Sequence, residues 1–457
     1  MSQSEFGLKR VLGLWEVAAI AVGQTIGAGI FVMTGMAAGF TGPSVPLAYL
    51  LAVIPVVFLM LSLAMLGSAL PTTGGNYKYA SRLFSPRAAF IGVWGFMGGT
   101  LVGAFPLWAL SGARYLQAVM EVDTVAAAVA IMTILFLVNL VGISMAAAVQ
   151  ALFVLLMLIA LIMFGITGIP HIDPANFTPF FPAGVHGFIL ATCVLTFTHL
   201  GANSIVELGG EIKNPGRVIP RAFMISIPLV TVIYLLVAVT AVGVVPWSKL
   251  AGQPLTAAAE VFMGKGAFNF FVIGGGMLAI ITTLNAGFMW GTKSLLVMAA
   301  DGLFPRALTA VNRRFGTPHW FLLFIYLVSC GALIIFGEDY LEAFTALGSI
   351  GGIIIFLPVM GAALVLPKKA PEAYAASSFK LKGIWVYLVP SVGALVALGV
   401  MGMLLIDLLG MPRGSVFGYL FIVWLAIGLV YYEIRCRALR RQGRMPEAVK
   451  QVQGREF

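Results

Sequence analysis

Glu16, His199, Glu207 and Lys293 are ionisable residues within stretches of otherwise apolar sequence. A charge taken into hydrocarbon is costly, so an ionisable group there is by default a functional site. Glu16 and Lys293 fall close to the ends of their stretches, where snorkelling or pairing explains them. Glu207 sits one to two turns from an end. His199 lies in mid-stretch, and because imidazole titrates near pH 6.5 it is the candidate for pH sensitivity. Around it, LTFTHLGANSIVELGGE (195–211) gathers Thr198, Asn203 and Ser204 about a central glycine, Gly201. A second stretch, AIAVGQTIGAGIF (19–31), places Gly23, Gly27 and Gly29 near its middle. A third carries Thr282, Thr283 and Asn285, hydroxyls and an amide that with carbonyls of the first stretch can coordinate Na+ through hard oxygen ligands. A threonine in a membrane helix also bonds its own backbone, and that reading stands beside the first.

Covalent and metal chemistry have no matching pattern. His171, His186, His199 and His319 are scattered, and no His-Glu-x-x-His or paired-Asp motif occurs. Cys193, Cys330 and Cys436 have neither disulfide-framework nor zinc spacing. We therefore expect no enzyme, no metal site and no cofactor. A channel would need rings of charge or repeated carbonyl filters, and the sequence has none.

These residues require elements that carry them through a bilayer. Of the 457 residues, 60% are hydrophobic and only 10% charged, against about 25% charged in soluble chains. A helix crossing roughly 30 Å of hydrocarbon needs about 20 apolar residues. Twelve such stretches are expected, near 14–39, 45–69, 88–113, 124–141, 146–168, 187–209, 223–245, 268–298, 319–336, 341–366, 384–409 and 415–434. The fold class is an all-α polytopic membrane protein. The start, MSQSEFGLKRVLGLWE, lacks a leader's short apolar region and cleavage site, so the first stretch is expected to stay in the mature chain.

The net charge of +10 is explained by topology. With the N-terminus inside, 23 of the 27 Lys and Arg fall in cytoplasmic segments, and only Arg114, Lys249, Lys265 and Arg413 fall outside. Both termini are expected in the cytoplasm. The charge is spread over six segments, which excludes a nucleic-acid patch. The basic run RCRALRRQGR (435–444) can meet anionic membrane lipid, or serve simply as a flank that stops transfer.

A span broken near mid-membrane is tolerated only where it lines a cavity. Gly23-x-x-x-Gly27 by itself also suits close helix packing. Breaks in spans one and six, five apart, suggest a five-plus-five inverted repeat, an architecture of secondary transporters. The expected organisation is a tail at 1–13, a first repeat at 14–168, a second at 187–366, two further helices at 384–434 and a basic tail at 435–457.

The strings GQTIGAGIF (23–31), EIKNPGRVIPRA (211–222) and MAADGLFPRALTAVNRRFGTP (298–318) resemble, in the correct order, three signatures of amino acid permeases of the amino acid–polyamine–organocation superfamily. The resemblance implies a secondary transporter of amino acids in a plasma membrane, here a bacterial inner membrane. Symport, export and exchange share this architecture, and so does a transporter-fold sensor. The helix restarting after the first break offers amide N–H groups and a positive dipole end to a carboxylate, through Ile26, Gly27, Ala28 and Gly29. Carbonyls of Phe197, His199 and Leu200 at the second break suit an ammonium, beside Gly201 and Asn203. Phe197 holds the aromatic position that family members use to gate or cap substrate; a lipid- or core-facing ring is the alternative.

The chain departs from the pattern in two places. Gly201-Ala202-Asn203 stands where many relatives carry Gly-Phe-Asp or Gly-Phe-Glu, which removes an acid and a bulky ring. Met157 stands where some proton-coupled relatives carry a lysine. Coupling to H+ or Na+ would then fall to Thr282, Thr283, Asn285, His199 or Glu207. Further lining is expected from Phe96, Met97, Gly98, Gly99, Thr100, Thr345 and Ser349. With no acid at mid-membrane, a neutral amino acid is favoured. Arg114 to Asp123 contains no cysteine, so no covalent heavy-chain partner is implied. Asn214-Pro215-Gly216 reads as a tight turn, with Gly216 supplying a positive φ. Glu211 is expected to pair with Arg217, Arg221 or the basic loop after span two, with Asp301 joining an inner gate.

Overall fold

Backbone polar groups in hydrocarbon must be satisfied within their own segment, and this chain meets the requirement with helix. The computed structural model describes residues 6–27, 29–117, 120–410 and 414–442. Ala28, Arg413 and residues 443–457 lie outside the described residues. Among the described residues, extended pairing is confined to two isolated bridges, Leu12 with Ile212 and Thr73 with Leu208.

Among the described residues, ten helical runs are long and apolar enough to cross a membrane, the first being the 56-residue run Leu14–Ala69. The helices are α1 (Leu14–Ile26), α2 (Gly29–Thr41), α3 (Val45–Ala69), α4 (Pro86–Gln117), α5 (Thr124–Leu140), α6 (Ile143–Gly168), α7 (Gly184–Thr196), α8 (Pro215–Val244), α9 (Lys265–Ala300), α10 (His319–Phe336), α11 (Ala343–Lys369), α12 (Trp385–Gly410) and α13 (Ser415–Arg441). The protein is an all-helical, multi-pass membrane protein. Ile134, Leu137, Leu152, Leu155, Ile166, Leu395, Val423 and Val430 are exposed, an apolar surface that water would penalise and lipid accepts.

Helix ends follow local chemistry. Asp123 accepts a hydrogen bond from Ala126 N (2.7 Å) and caps α5, while Gly142, at φ 127°, breaks the apolar run before α6. Glu16 Oε2 accepts from Gly13 N (3.0 Å) and closes the start of α1. The turn before α8 differs from expectation: Asn214, not Gly216, takes the positive φ, at 49°. Pro215 is then the first helical residue, where its missing N–H costs nothing.

Two helices are interrupted. Between α1 and α2, Gly27 adopts φ 41° and ψ −154°. After α7 the chain makes a tight turn over Phe197–His199, runs extended at Leu200, and reverses at Gly201 with φ 144° and ψ −47° before a second tight-turn segment, Ala202–Glu207. Only glycine adopts such angles without strain.

Around these breaks α8 packs on α1 and α3, α9 on α1 and α6, and α7 on α2 and α3. α4 crosses α11 backbone to backbone: a Cβ added to Gly99 would lie 2.5 Å from the Cα of Gly351. α12 and α13 are the least buried of the ten runs, at 18% and 28%, and so lie at the periphery. α13 is locked to α4 by Trp94 and Trp424, whose rings stack at 4.4 Å. Each indole N–H donates to the other residue's carbonyl, at 2.9 and 2.8 Å.

Candidate binding site

The two breaks face each other across a cavity of about 300 Å³. From the first break it is lined by Gln24, Thr25, Gly27 and Gly29, and from the second by Phe197, Thr198, Leu200, Gly201, Asn203 and Ser204. α4 supplies Thr100, Leu107, Trp108 and Ser111, α9 supplies Thr283 and Trp290, and α11 supplies Thr345, Ser349 and Phe356. Among the described residues, no charged side chain belongs to this lining. Polarity comes instead from hydroxyls, amides and backbone ends.

The breaks touch. A Cβ added to Gly201 would lie 2.5 Å from the carbonyl oxygen of Gln24 and 2.8 Å from Thr25 Cα. Asn203 Oδ1 accepts from Gly201 N (2.9 Å) and holds this turn. α2 begins beside the cavity, and its first N–H groups have no helical carbonyl before them. On the other side, Phe197 O accepts from Leu200 N at 3.1 Å.

The anticipated residues divide into three groups. Gly27, Gly29, Phe197, Leu200, Gly201 and Asn203 line the cavity, with Thr100, Thr345, Ser349 and Thr283. Ile26 is fully buried behind it, and Ala28 lies outside the described residues. Phe96, Met97, Gly98 and Gly99 do not line it; Gly98 instead packs on the ring of Trp424.

His199 also faces away from the cavity. It is buried, with its ring 5.0 Å from that of Tyr234 and 6.0 Å from that of Tyr49. Its Nδ1 lies 3.3 Å from Leu195 O. With Thr25 and Ser226 it bounds a separate, much smaller void.

Thr282 and Thr283 bond backbone carbonyls, both in their own helix and in the first. Each hydroxyl lies 3.2 Å from Gly23 O across the helix interface, and they donate to Ala279 O at 2.8 and 3.1 Å. Asn285 does not join them. Its amide accepts from Asn139 Nδ2 (2.8 Å) and donates to Gln150 Oε1 (2.9 Å), forming a buried amide chain through α5, α9 and α6. Met157 is fully buried in α6.

The end of the bundle nearest the N-terminal segment is closed by buried charge. Lys293 Nζ lies 2.8 Å from Glu211 Oε2 and donates to its Oε1 at 3.0 Å. Arg82 forms a two-pronged pair with Asp301 at 2.6 and 2.7 Å, and Tyr77 donates to the same carboxylate at 2.8 Å. Ser294 and the backbone N–H of Asn76 donate to Glu207. Val11 and Leu12 both donate their N–H to Glu211 O at 3.0 Å, strapping the N-terminal segment over this end.

The gate expectation needs a correction. Arg217 and Arg221 are exposed, and the partner of Glu211 is Lys293, which is 2% exposed and does not snorkel. A buried carboxylate requires a cation that is itself desolvated, and an exposed arginine on a helix surface does not meet that need. Burial raises the pKa of Glu211, and Lys293 opposes the shift.

Residues that sequence reasoning did not single out include Gln24, Trp108 and Trp290. Trp290 Nε1 donates to Gln24 Oε1 at 3.2 Å. Gln24 had a usable signal, as the one amide within GQTIGAGIF.

The family described as amino acid permease matches residues 12–431. The chain is 27% identical to the branched-chain amino acid permease of Bacillus subtilis, over 95% of both chains. It is also 27% identical to the methylthioribose transporter of the same organism, over 94% of both. To the chloroplastic cationic amino acid transporter 9 of Arabidopsis thaliana it is 28% identical, over 68% of this chain and 59% of the relative.

Proposed function

Because this chain belongs to the amino acid permease family of the amino acid–polyamine–organocation superfamily, we propose that it is a secondary transporter that moves a neutral amino acid by alternating access. It is a transporter rather than an enzyme. One observation carries the specificity: a cavity between two helix breaks, with no charged side chain in its lining. A zwitterion fits such a site. Its carboxylate meets the N–H groups opening α2, its ammonium meets carbonyls of the second break, and its side chain meets Trp108, Trp290 and Phe356. A cationic or acidic side chain would lose hydration there without gaining a partner.

The proposed architecture has twelve spans. Leu14–Ala69, at about 1.5 Å per residue, is too long for one crossing, and the 17-residue apolar helix Thr124–Leu140 supplies another. Residues 14–168 and 187–366 form two five-helix repeats with the broken helices at corresponding places, and 384–434 forms two added helices. Both termini are cytoplasmic, in a bacterial inner membrane, and the buried ion pairs form the inner gate.

The test is uptake by purified protein in liposomes across an amino acid panel, with methylthioribose included. Saturable uptake of neutral amino acids, with lysine and glutamate poor substrates, is expected. No saturable uptake of any amino acid refutes the transport reading.

For coupling, Thr283 borders the cavity and approaches Gly23 O, which favours Na+ over a proton relay through His199. Na+ is expected to stimulate uptake, and Thr283→Ala to abolish that stimulation. Stimulation by a pH gradient alone, in wild type and variant, would reverse this assignment.

A further inference from the structure

We propose that Tyr234 is a positioning residue for the binding cavity, its phenol joining the two helix breaks from behind. The inference rests on reading that cavity as the amino acid site. Tyr234 belongs to α8, is fully buried, and is not among the residues lining the cavity. Its Oη lies 3.1 Å from Thr25 O and 3.3 Å from Ile26 O at the first break, and 3.0 Å from Thr198 O at the second.

Carbonyls at helix ends have lost their helical donors, and here one hydroxyl faces carbonyls from both ends. A phenol has a single proton, so it is shared, and a shift of either break redistributes it to the other. The ring cannot turn away. It packs edge-on against His199 and at a tilt against Tyr49, each at 5.0 Å. Tyr49 has a different task, its Oη lying 3.0 Å from Thr34 Oγ1, which donates to Ile30 O within α2. Two phenols of one aromatic cluster thus hold different things: Tyr49 holds a side chain of α2, and Tyr234 holds the backbone of both breaks.

The separation of breaks one and six sets the distance between the groups offered to the carboxylate and those offered to the ammonium. Loss of the Tyr234 hydroxyl therefore acts on substrate affinity before it acts on turnover.

The experiment compares wild type, Tyr234→Phe and Tyr49→Phe in liposomes, measuring KM and maximal rate for the best substrate of the panel. In Tyr234→Phe, KM is expected to rise about tenfold, the worth of one buried hydrogen bond, with a smaller change in maximal rate. Tyr49→Phe is expected to keep the wild-type KM. A KM in Tyr234→Phe within twofold of wild type overturns the proposal, as does an equal rise in both variants, which would mark a general packing defect. Tyr234→His retains a ring N–H donor and is expected to recover part of the affinity. Should Tyr234→Phe fail to fold, a wild-type KM in a variant at 234 with no side-chain donor that does fold, such as Tyr234→Leu, overturns the proposal. Absence of saturable uptake by wild type is a separate failure, that of the transport reading.

Discussion

Alanine at Gly201 is expected to slow amino acid uptake by about a hundredfold or more, with the protein still folded. The residue sits at φ 144° and ψ −47°, where a side chain costs about 1–3 kcal/mol. Its added Cβ would also stand 2.5 Å from the Gln24 carbonyl oxygen, far inside contact distance. The second break must then withdraw from the first, and displacements of about 1 Å between positioned groups are enough to cost about two orders of magnitude in rate. Initial uptake rates in liposomes, with size-exclusion profiles as the folding check, decide the matter. Gly399→Ala, on α12, is the control, because a Cβ there meets nothing. Wild-type uptake by Gly201→Ala would mean that the breaks need not touch.

The second large effect is on stability. Lys293→Met leaves Glu211 as a buried carboxylate without its cation, and breaking such a pair costs about 3–5 kcal/mol. Thermal unfolding of the detergent-purified protein is expected to show this as a large fall in Tm. The double variant Lys293→Met with Glu211→Gln is expected to recover most of it, since no charge then remains buried. The pH dependence has a definite sign. Without Lys293, burial raises the Glu211 pKa in the folded protein without opposition, so the folded state binds the proton more tightly than the unfolded state. Stability is then highest below the unfolded carboxylate value and falls as pH rises through the folded one. The deficit of Lys293→Met relative to wild type should narrow on acidification. A deficit that widens would remove Glu211 as its source.

Both breaks were legible in the sequence because glycines stand beside polar residues in the middle of two apolar spans five apart, and Gly27 and Gly201 take backbone angles that only glycine adopts without strain. The lining contributed by Gln24, Trp108 and Trp290 was not. Trp108 and Trp290 are apolar enough to suit a lipid-facing or core position equally, and Gln24 is a single amide in a largely apolar stretch, so the sequence does not say that they meet the cavity. The start of α2, proposed to meet the carboxylate, could be read from the sequence because it needs only a helix that restarts after a glycine. Tyr234 needed three dimensions, because its acceptors lie 36 to 209 residues away along the chain. The same limit explains Lys293. Proximity in sequence favoured Arg217 and Arg221 as partners of Glu211, whereas burial selected a residue 82 positions distant. His199 was singled out for pH sensitivity from its place at a break, but the direction of its ring depends on Tyr49 and Tyr234, which no local pattern encodes.

The uncharged lining has an electrical consequence. Moving one elementary charge across a membrane potential of 100 mV is worth about 2.3 kcal/mol. A zwitterion carries no net charge, the cavity that would hold it contributes none, and the Arg82–Asp301 and Lys293–Glu211 pairs each sum to zero. For the proposed zwitterionic substrate, substrate and lining together then add no net charge for the membrane field to act on. Under the proposed coupling, current during uptake of a neutral amino acid would report the co-transported ion, and charge counted per substrate molecule would read the coupling ratio.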